Sequence, residues 1–351
     1  MSIIRTLARP AAATSAALLF GALAACGDSS AADGEQDFTL EYQGTPSTVQ
    51  FPELAESLGY FENVELKWTS DTTSGPTSIQ NTATGESDVG SAFNGAIVKL
   101  VAAGAPLTAV VDSYGADEET FNGFYTLEDS GITEGKDLIG KKVGMNTLGA
   151  HAEFVVREWL AQEGLSNAEI ETVELTVVPP INTEQALHNG DIDVGALSGV
   201  FRDSALERGG LTELFTDNTL YEEFSYGTYV FRNDFIEKNP DAVEDFVQGT
   251  ARAIRWTQVT PREEVVAKYK EIITERQRAG EDPELADYWK STGIPASGGV
   301  IDERELQIWV DWLTRNGELD DGEIEVEKLY TNEYNPYANG TFEPDADAEG
   351  Q

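Results

Sequence analysis

One cysteine, two histidines and only 23 basic residues set against 63 acidic ones are what this 351-residue chain has little of. It also has no apolar run of the roughly 20 residues that a membrane-spanning helix needs. Each shortage excludes a chemistry. A single thiol, Cys26, closes no intrachain disulfide and builds no thiolate cluster, so stability must come from a packed core. The two histidines, His151 and His188, lie far apart in unlike contexts, which argues against a metal site. No cofactor is expected. A formal charge of −40 repels phosphate backbones, so nucleic acid is not an expected partner. No Gly-x-Ser-x-Gly elbow, phosphate loop or His-Glu-x-x-His pair appears, and the chemistries that depend on those motifs lack their residues.

What is present begins with a targeting pattern. Arg5 and Arg9 precede an apolar run from Ala11 to Leu23, and the small residues Ala24 and Ala25 precede Cys26. Residues 1–25 read as a cleavable signal. Leu23-Ala24-Ala25-Cys26 resembles the lipobox of bacterial lipoproteins, which implies that the Cys26 thiol carries a diacylglycerol. Two acyl chains anchor a soluble domain stably to a membrane surface. The expected location is therefore the outer face of the cytoplasmic membrane, with residues 26–37 as an acidic tether.

Strand and helix signals then alternate, which predicts an α/β architecture with largely parallel sheets. "GESDVG" at 85–90 and "GDIDVG" at 190–195 agree at four of six positions, 105 residues apart. The same offset carries Gly44 of "YQGTPS" onto Gly149 of "NTLGAH", so one unit reads as written twice. In each copy a glycine, Gly85 or Gly190, ends a helix, and Val89 or Val194 opens a buried strand. Phe93-Asn94 and Leu197-Ser198 fall at the carboxyl ends of those strands, where open α/β sheets bind ligands. Extended runs at 109–115 and 123–127 lead out of the first unit, and one at 222–232 leads back. Two hinge crossings follow: lobe 1 is discontinuous (38–120 plus 225–340), lobe 2 spans 121–224, and a cleft lies between them. The acidic end, 341–351, is expected to be disordered.

"AESLGYFENVELKW", "ATGESDVGSA", "DLIGKKVGMNTLGAHAEFVVREWLAQEGL", "ALHNGDIDVGAL" and "FIEKNPDAVEDFV" together resemble the solute-binding proteins of ABC importers. The branch is the one that includes sulfonate, taurine, nitrate and thiamine-pyrimidine binders. The resemblance runs from about residue 38 to 338. It implies a type II periplasmic-binding-protein fold, a monomer closing on a small-molecule ligand, and permease and ATPase subunits as partners. Fungal pyrimidine synthases share that fold but rely on a cysteine-rich iron-binding motif. No cysteine follows Cys26, so a non-catalytic receptor is expected. A ligand sensor would have the same binding chemistry.

Candidate ligand contacts are the strand-end loops: Gln43, Gly44, Thr45 and Asn94 in the first unit, and Asn146, Thr147, Gly149, Ala150, His151 and Ser198 in the second. "NTLGAH" leads into a helix start, whose free N–H groups suit an anion or a polar acceptor. His151 has two readings, a donor to ligand or a residue facing its helix neighbours. Arg202 is read as a surface pair with Asp203 or Glu207, with a ligand contact as the alternative. Near the crossings, Tyr114 and Tyr226 are placed to stack on a flat ligand. Two ligand pictures stay open, a small organic anion, which is favoured, and a planar pyrimidine.

Overall fold

The computed structural model describes residues 36–351. Cys26, the signal expected at 1–25 and the tether expected at 26–37, apart from Gln36 and Asp37, lie outside the described residues. Those two residues are tied to the body: Gln36 exchanges hydrogen bonds with Asp241, and the Asp37 N–H donates to Asn239 Oδ1 at 2.8 Å.

The outgoing part of lobe 1 runs β1 (Thr39–Gly44), α1 (Phe51–Leu58), β2 (Glu65–Asp71), α2 (Gly75–Thr84), β3 (Val89–Phe93), α3 (Asn94–Ala102) and β4 (Leu107–Ala116). Lobe 2 follows with β5 (Asn122–Leu127), β6 (Lys142–Met145), α4 (His151–Gln162), α5 (Asn167–Ile170), β7 (Glu174–Val177), α6 (Pro180–Asn189), β8 (Val194–Ser198), α7 (Gly199–Arg208), β9 (Leu211–Thr216) and α8 (Asp217–Tyr221). The chain returns through β10 (Phe224–Arg232), α9 (Asn233–Lys238), α10 (Pro240–Val259), α11 (Arg262–Arg276) and α12 (Arg304–Arg315).

The Asp-Val-Gly turn of each repeat fixes how its strands meet. Asp88 Oδ2 accepts from the Glu41 N–H while the Asp88 N–H donates to the Glu41 carbonyl, both at 2.9 Å. Asp193 and Lys142 make the same two bonds at the same distance. These bonds join β1–β2 to the β3-β10-β4 sheet, so lobe 1 reads β2-β1-β3-β10-β4, and lobe 2 reads β7-β6-β8-β5-β9 in the same order. The sheets are mixed where largely parallel ones were expected. The strand arriving from the other lobe, β10 or β5, runs antiparallel to both its neighbours. The repeat register is also corrected. Asp88 and Asp193 are 105 residues apart, but their partners Glu41 and Lys142 are 101 apart, which sets Gly44 opposite Met145 and not Gly149. Gly85 (φ 82°) and Gly190 (φ 74°) end α2 and α6 in the left-handed region, where a Cβ would be strained.

Lobe 1 packs α10 and α11 on one side of its sheet and α3 with α12 on the other, while lobe 2 closes its own core around Phe124, Val155 and Phe215. Side chains of lobe 2 cross this division: Phe154 of α4 inserts into the lobe 1 cluster, 4.9 Å from the Phe93 ring and 5.9 Å from Trp309, and Tyr221 of α8 meets Trp309 at 5.3 Å. The acidic end was expected to be disordered, and it docks instead. Arg255 Nε donates to the Ala346 carbonyl at 2.7 Å, Arg252 Nε to that of Ala348 at 2.8 Å, and both alanines are buried. The carbonyls of an acidic segment accept from α10 guanidinium groups regardless of what its own side chains prefer.

Candidate ligand-binding site

β4 hands the chain to β5 through residues 117–121, and α8 hands it back to β10 through 222–223. Between the lobes lies a cavity of about 550 Å³. Five helix starts reach its wall: Gln50–Phe51 of α1, Ser74–Gly75 of α2, Ala150–His151 of α4, Pro179–Pro180 of α6 and Ser198–Gly199 of α7. Free N–H groups at such starts favour negative charge or lone pairs. Two of the five already face a carboxylate in their own first turn. Glu53 of α1 is held by Arg276 and Arg278, and Glu153 of α4 accepts from the Gly149 N–H at 2.9 Å. The first turns of α2, α6 and α7 carry no acidic residue.

Of the residues singled out in the sequence, Gln43, Thr45, Asn146 and Ser198 line the cavity, as do Ala150, His151, Tyr114 and Tyr226. Four do not. Asn94 is fully buried, donating to the Glu305 carbonyl at 3.1 Å and accepting from the Thr228 hydroxyl at 3.1 Å, which uses its amide for packing. Gly44 makes room for Arg278, whose Nη1 would lie 2.6 Å from a Cβ there. The Gly149 N–H is spent on Glu153. Thr147 stands at the mouth, its hydroxyl 3.4 Å from that of Ser74, beside a bond from Asn146 Nδ2 to the Thr73 carbonyl at 3.1 Å. These contacts span the two lobes.

At the back of the cavity the hinge forms a polar knot in which His151 Nε2 is bonded and the buried Nδ1 is not. His151 Nε2 lies 2.7 Å from Asp217 Oδ2, and the Asn122 side chain donates to the same oxygen at 2.9 Å. Asn122 Nδ2 also donates to the Tyr226 hydroxyl at 2.6 Å. Tyr226 stacks on the His151 ring at 3.9 Å, and Tyr114 meets Tyr226 edge-on at 5.0 Å. The two tyrosines therefore spend much of their ring surface on the hinge. Burial pushes both hydroxyls up from the ordinary tyrosine pKa, and the Asp217 carboxylate adds to this for Tyr226, so both stay protonated.

Arg202, read from sequence as a surface pair, is corrected. It is 1% exposed, with Asp203 on one side and the carbonyls of Phe121 and Glu119 on the other, its guanidinium 3.9 Å from the Phe121 ring centre. It therefore ties α7 to the first crossing. Sequence reasoning missed Ser74, Asn122, Asp217 and Lys290. Only Ser74 had a local signal, a serine before Gly-Pro that reads as a helix N-cap, and its Oγ accepts from the Thr77 N–H. In a chain with 63 acidic residues the cavity wall holds, among the described residues, one carboxylate, Asp203, and one ammonium, Lys290.

Two lobes with the same strand order, joined by two crossings and facing each other over a helix-start cavity, define the class: a periplasmic-binding-protein fold. The periplasmic aliphatic sulphonate binding protein SsuA of Escherichia coli is similar in structure, with a TM-score of 0.63 at 20% identity, over 84% of this chain and 92% of that one. So is the periplasmic nitrate-binding protein NrtA of Synechocystis, with a TM-score of 0.67 at 16% identity over 87% and 89%. A model described as NMT1/THI5 like matches residues 53–264, and the chain belongs to that family. A 4-amino-5-hydroxymethyl-2-methylpyrimidine phosphate synthase of Schizosaccharomyces pombe is 24% identical over 259 residues, 70% of each chain.

Proposed function

We propose that the chain is the extracytoplasmic substrate-binding component of an ABC importer, tethered through a lipid on Cys26. It captures one small solute by lobe closure, turns nothing over and hands the solute to permease and ATPase subunits. The observation that carries this reading is the cavity wall: in a chain of charge −40, five helix starts converge on a surface whose one carboxylate is already paired. Such a wall suits a small anion, sulfonate-like or nitrate-like, with contacts assigned to Gln43, Thr45, Asn146 and Ser198. Closure follows from ligand contacts shared by both lobes, because a ligand that binds one state better draws the equilibrium toward it. No helix among the described residues is long and apolar enough to cross a membrane, which accords with an anchor placed elsewhere.

A second reading has its own observation. Phe121, Phe201 and Trp289 line the same cavity beside Tyr114 and Tyr226, and the fungal relatives are named for a pyrimidine product. A planar pyrimidine would lie among those rings. Thermal melting of the full chain, purified in mild detergent, with ethanesulfonate, taurine, nitrate and 4-amino-5-hydroxymethyl-2-methylpyrimidine separates the two. A ligand at 100 times its Kd adds about 2.7 kcal/mol to the folded state. An anion is expected to raise the Tm; a shift with the pyrimidine alone selects the second reading, and no shift with any of them ends both.

A further inference from the structure

Beyond α11, residues 282–292 form a strap that reaches lobe 2 at two points and the first crossing at a third. Tyr288 Oη donates to Glu207 Oε2 at 2.6 Å, Lys290 Nζ lies 3.1 Å from Asp203 Oδ1, and Ser291 Oγ donates to Thr120 Oγ1 at 2.8 Å. Asp203, Leu285, Tyr288 and Lys290 line both the inner cavity and a more open groove of about 840 Å³. These four side chains are the partition between the two spaces.

The charges in that partition do not balance. Asp203 Oδ1 already takes Arg202 Nε at 2.8 Å and Nη2 at 2.7 Å, and both residues are buried. Arg202 alone neutralises Asp203, which leaves the Lys290 charge in surplus. The other acids of the groove lie outside the cavity wall: Glu207 accepts from Tyr288, Asp282 from the Glu284 N–H, and Glu284 and Asp287 pair with Lys270. The Lys290 side chain is 40% exposed, so it can turn without unpacking a core. Asp203 lies on α7, whose start at Ser198–Gly199 opens on the same cavity with no acid in its first turn.

We propose that Lys290 is the charge-selecting residue of the cleft: its ammonium is shared between Asp203 and the anionic group of the bound solute. This rests on the binding-protein reading and deepens it. An anion at the start of α7 gives the surplus charge a second partner and draws the strap toward lobe 2, whereas a neutral solute of the same shape gains nothing from it. A charge-assisted bond made only in the closed state favours slow release more than fast capture.

The test compares wild type, Lys290→Gln and Lys290→Arg by calorimetry and stopped-flow on the full chain in mild detergent. The probes are ethanesulfonate, nitrate and the neutral near-isostere ethanesulfonamide. Lys290→Gln should weaken the anions by roughly tenfold, mainly through faster release, leave ethanesulfonamide unchanged, and be rescued by Lys290→Arg. Anion binding that is equal in wild type and Lys290→Gln, or an equal loss for the sulfonamide, overturns the proposal while the receptor reading stands. Failure of wild type to bind any anion overturns it together with the anion reading. Binding of 4-amino-5-hydroxymethyl-2-methylpyrimidine that is indifferent to Lys290 then keeps the receptor reading alone.

Discussion

The carboxyl ends of β3 and β8 are equivalent places in the two repeats, 105 residues apart, and they are used in opposite ways. At β8, Ser198 and Gly199 open α7 toward the cavity, and the Ser198 side chain makes no capping bond. At β3, the Phe93 ring is wedged against Trp309 at 4.6 Å, Phe154 at 4.9 Å and His151 at 5.2 Å, and Asn94 behind it is bonded to α12 and β10. The α12 helix packs over the β3 end, whereas Ser198 and Gly199 at the β8 end open on the cavity. A duplicated unit thus supplies one end packed under a helix, where only the Phe93 side of the strand end still reaches the cavity wall, and one end that opens its helix start on the cavity.

Removing the wedge is the largest break in that contrast. Phe93→Ala should cost about 3–5 kcal/mol, as large-to-small changes at buried aromatics do, and lower the denaturant midpoint without changing m. It should also loosen the lobes, since Phe93 is where Phe154 and His151 of lobe 2 meet lobe 1. A loss under about 1 kcal/mol would mean that the end is not sealed. One step smaller, Asn94→Ala should lose about 1–3 kcal/mol, because the buried Thr228 hydroxyl is left without its acceptor and the link to α12 is lost, with ligand affinity intact. At the position equivalent to Phe93, Ser198→Leu should invert the pattern, changing stability by about 0.5 kcal/mol or less while abolishing binding. The same outcome for both variants, in melting and in titration, would erase the distinction between the two ends.

Much of this was legible locally. Gly85 and Gly190, Val89 and Val194, and the second crossing at 222–232 follow from short-range pattern, because helix ends and buried strands are set by neighbouring residues. Asn94 was misread because its partner Glu305 lies 211 residues away, and no periodicity near residue 94 announces a covering helix. Arg202 shows the same limit: Asp203 beside it was visible, but the Glu119 and Phe121 carbonyls that bury it belong to the first crossing, 83 and 81 residues earlier. The strap holding Lys290, "ELADYWKSTGIP", has neither a helical nor a strand period, so its passage along the cleft left no mark in the sequence. Composition misled at the tail, where acidity suggested disorder and backbone carbonyls settled the matter.

The smallest effect tests what the sealed end costs. Behind Asn94, Asp112 of β4 is completely buried, neither of its carboxylate oxygens meets a donor, and burial, with Glu305 adding to it, pushes its pKa well above the usual range. Burial also pushes Glu305 up to about 7, against the lowering effect of N–H bonds from Ser225 and Asp302. The charged group facing this pair is Asp302, just before α12; β10 places Ser225 and Thr228 beside it. Both carboxyls hold a proton more tightly folded than unfolded. The stability this provides is therefore complete below the ordinary carboxyl pKa, near 4, and is lost as pH rises through about 7. The Tm of the wild type should fall by a few degrees between pH 5 and pH 8, and Asp112→Asn, which needs no proton, should flatten that slope. A wild-type profile as flat as that of the variant would mean that α12 seals the β3 end without burying an ionisable pair.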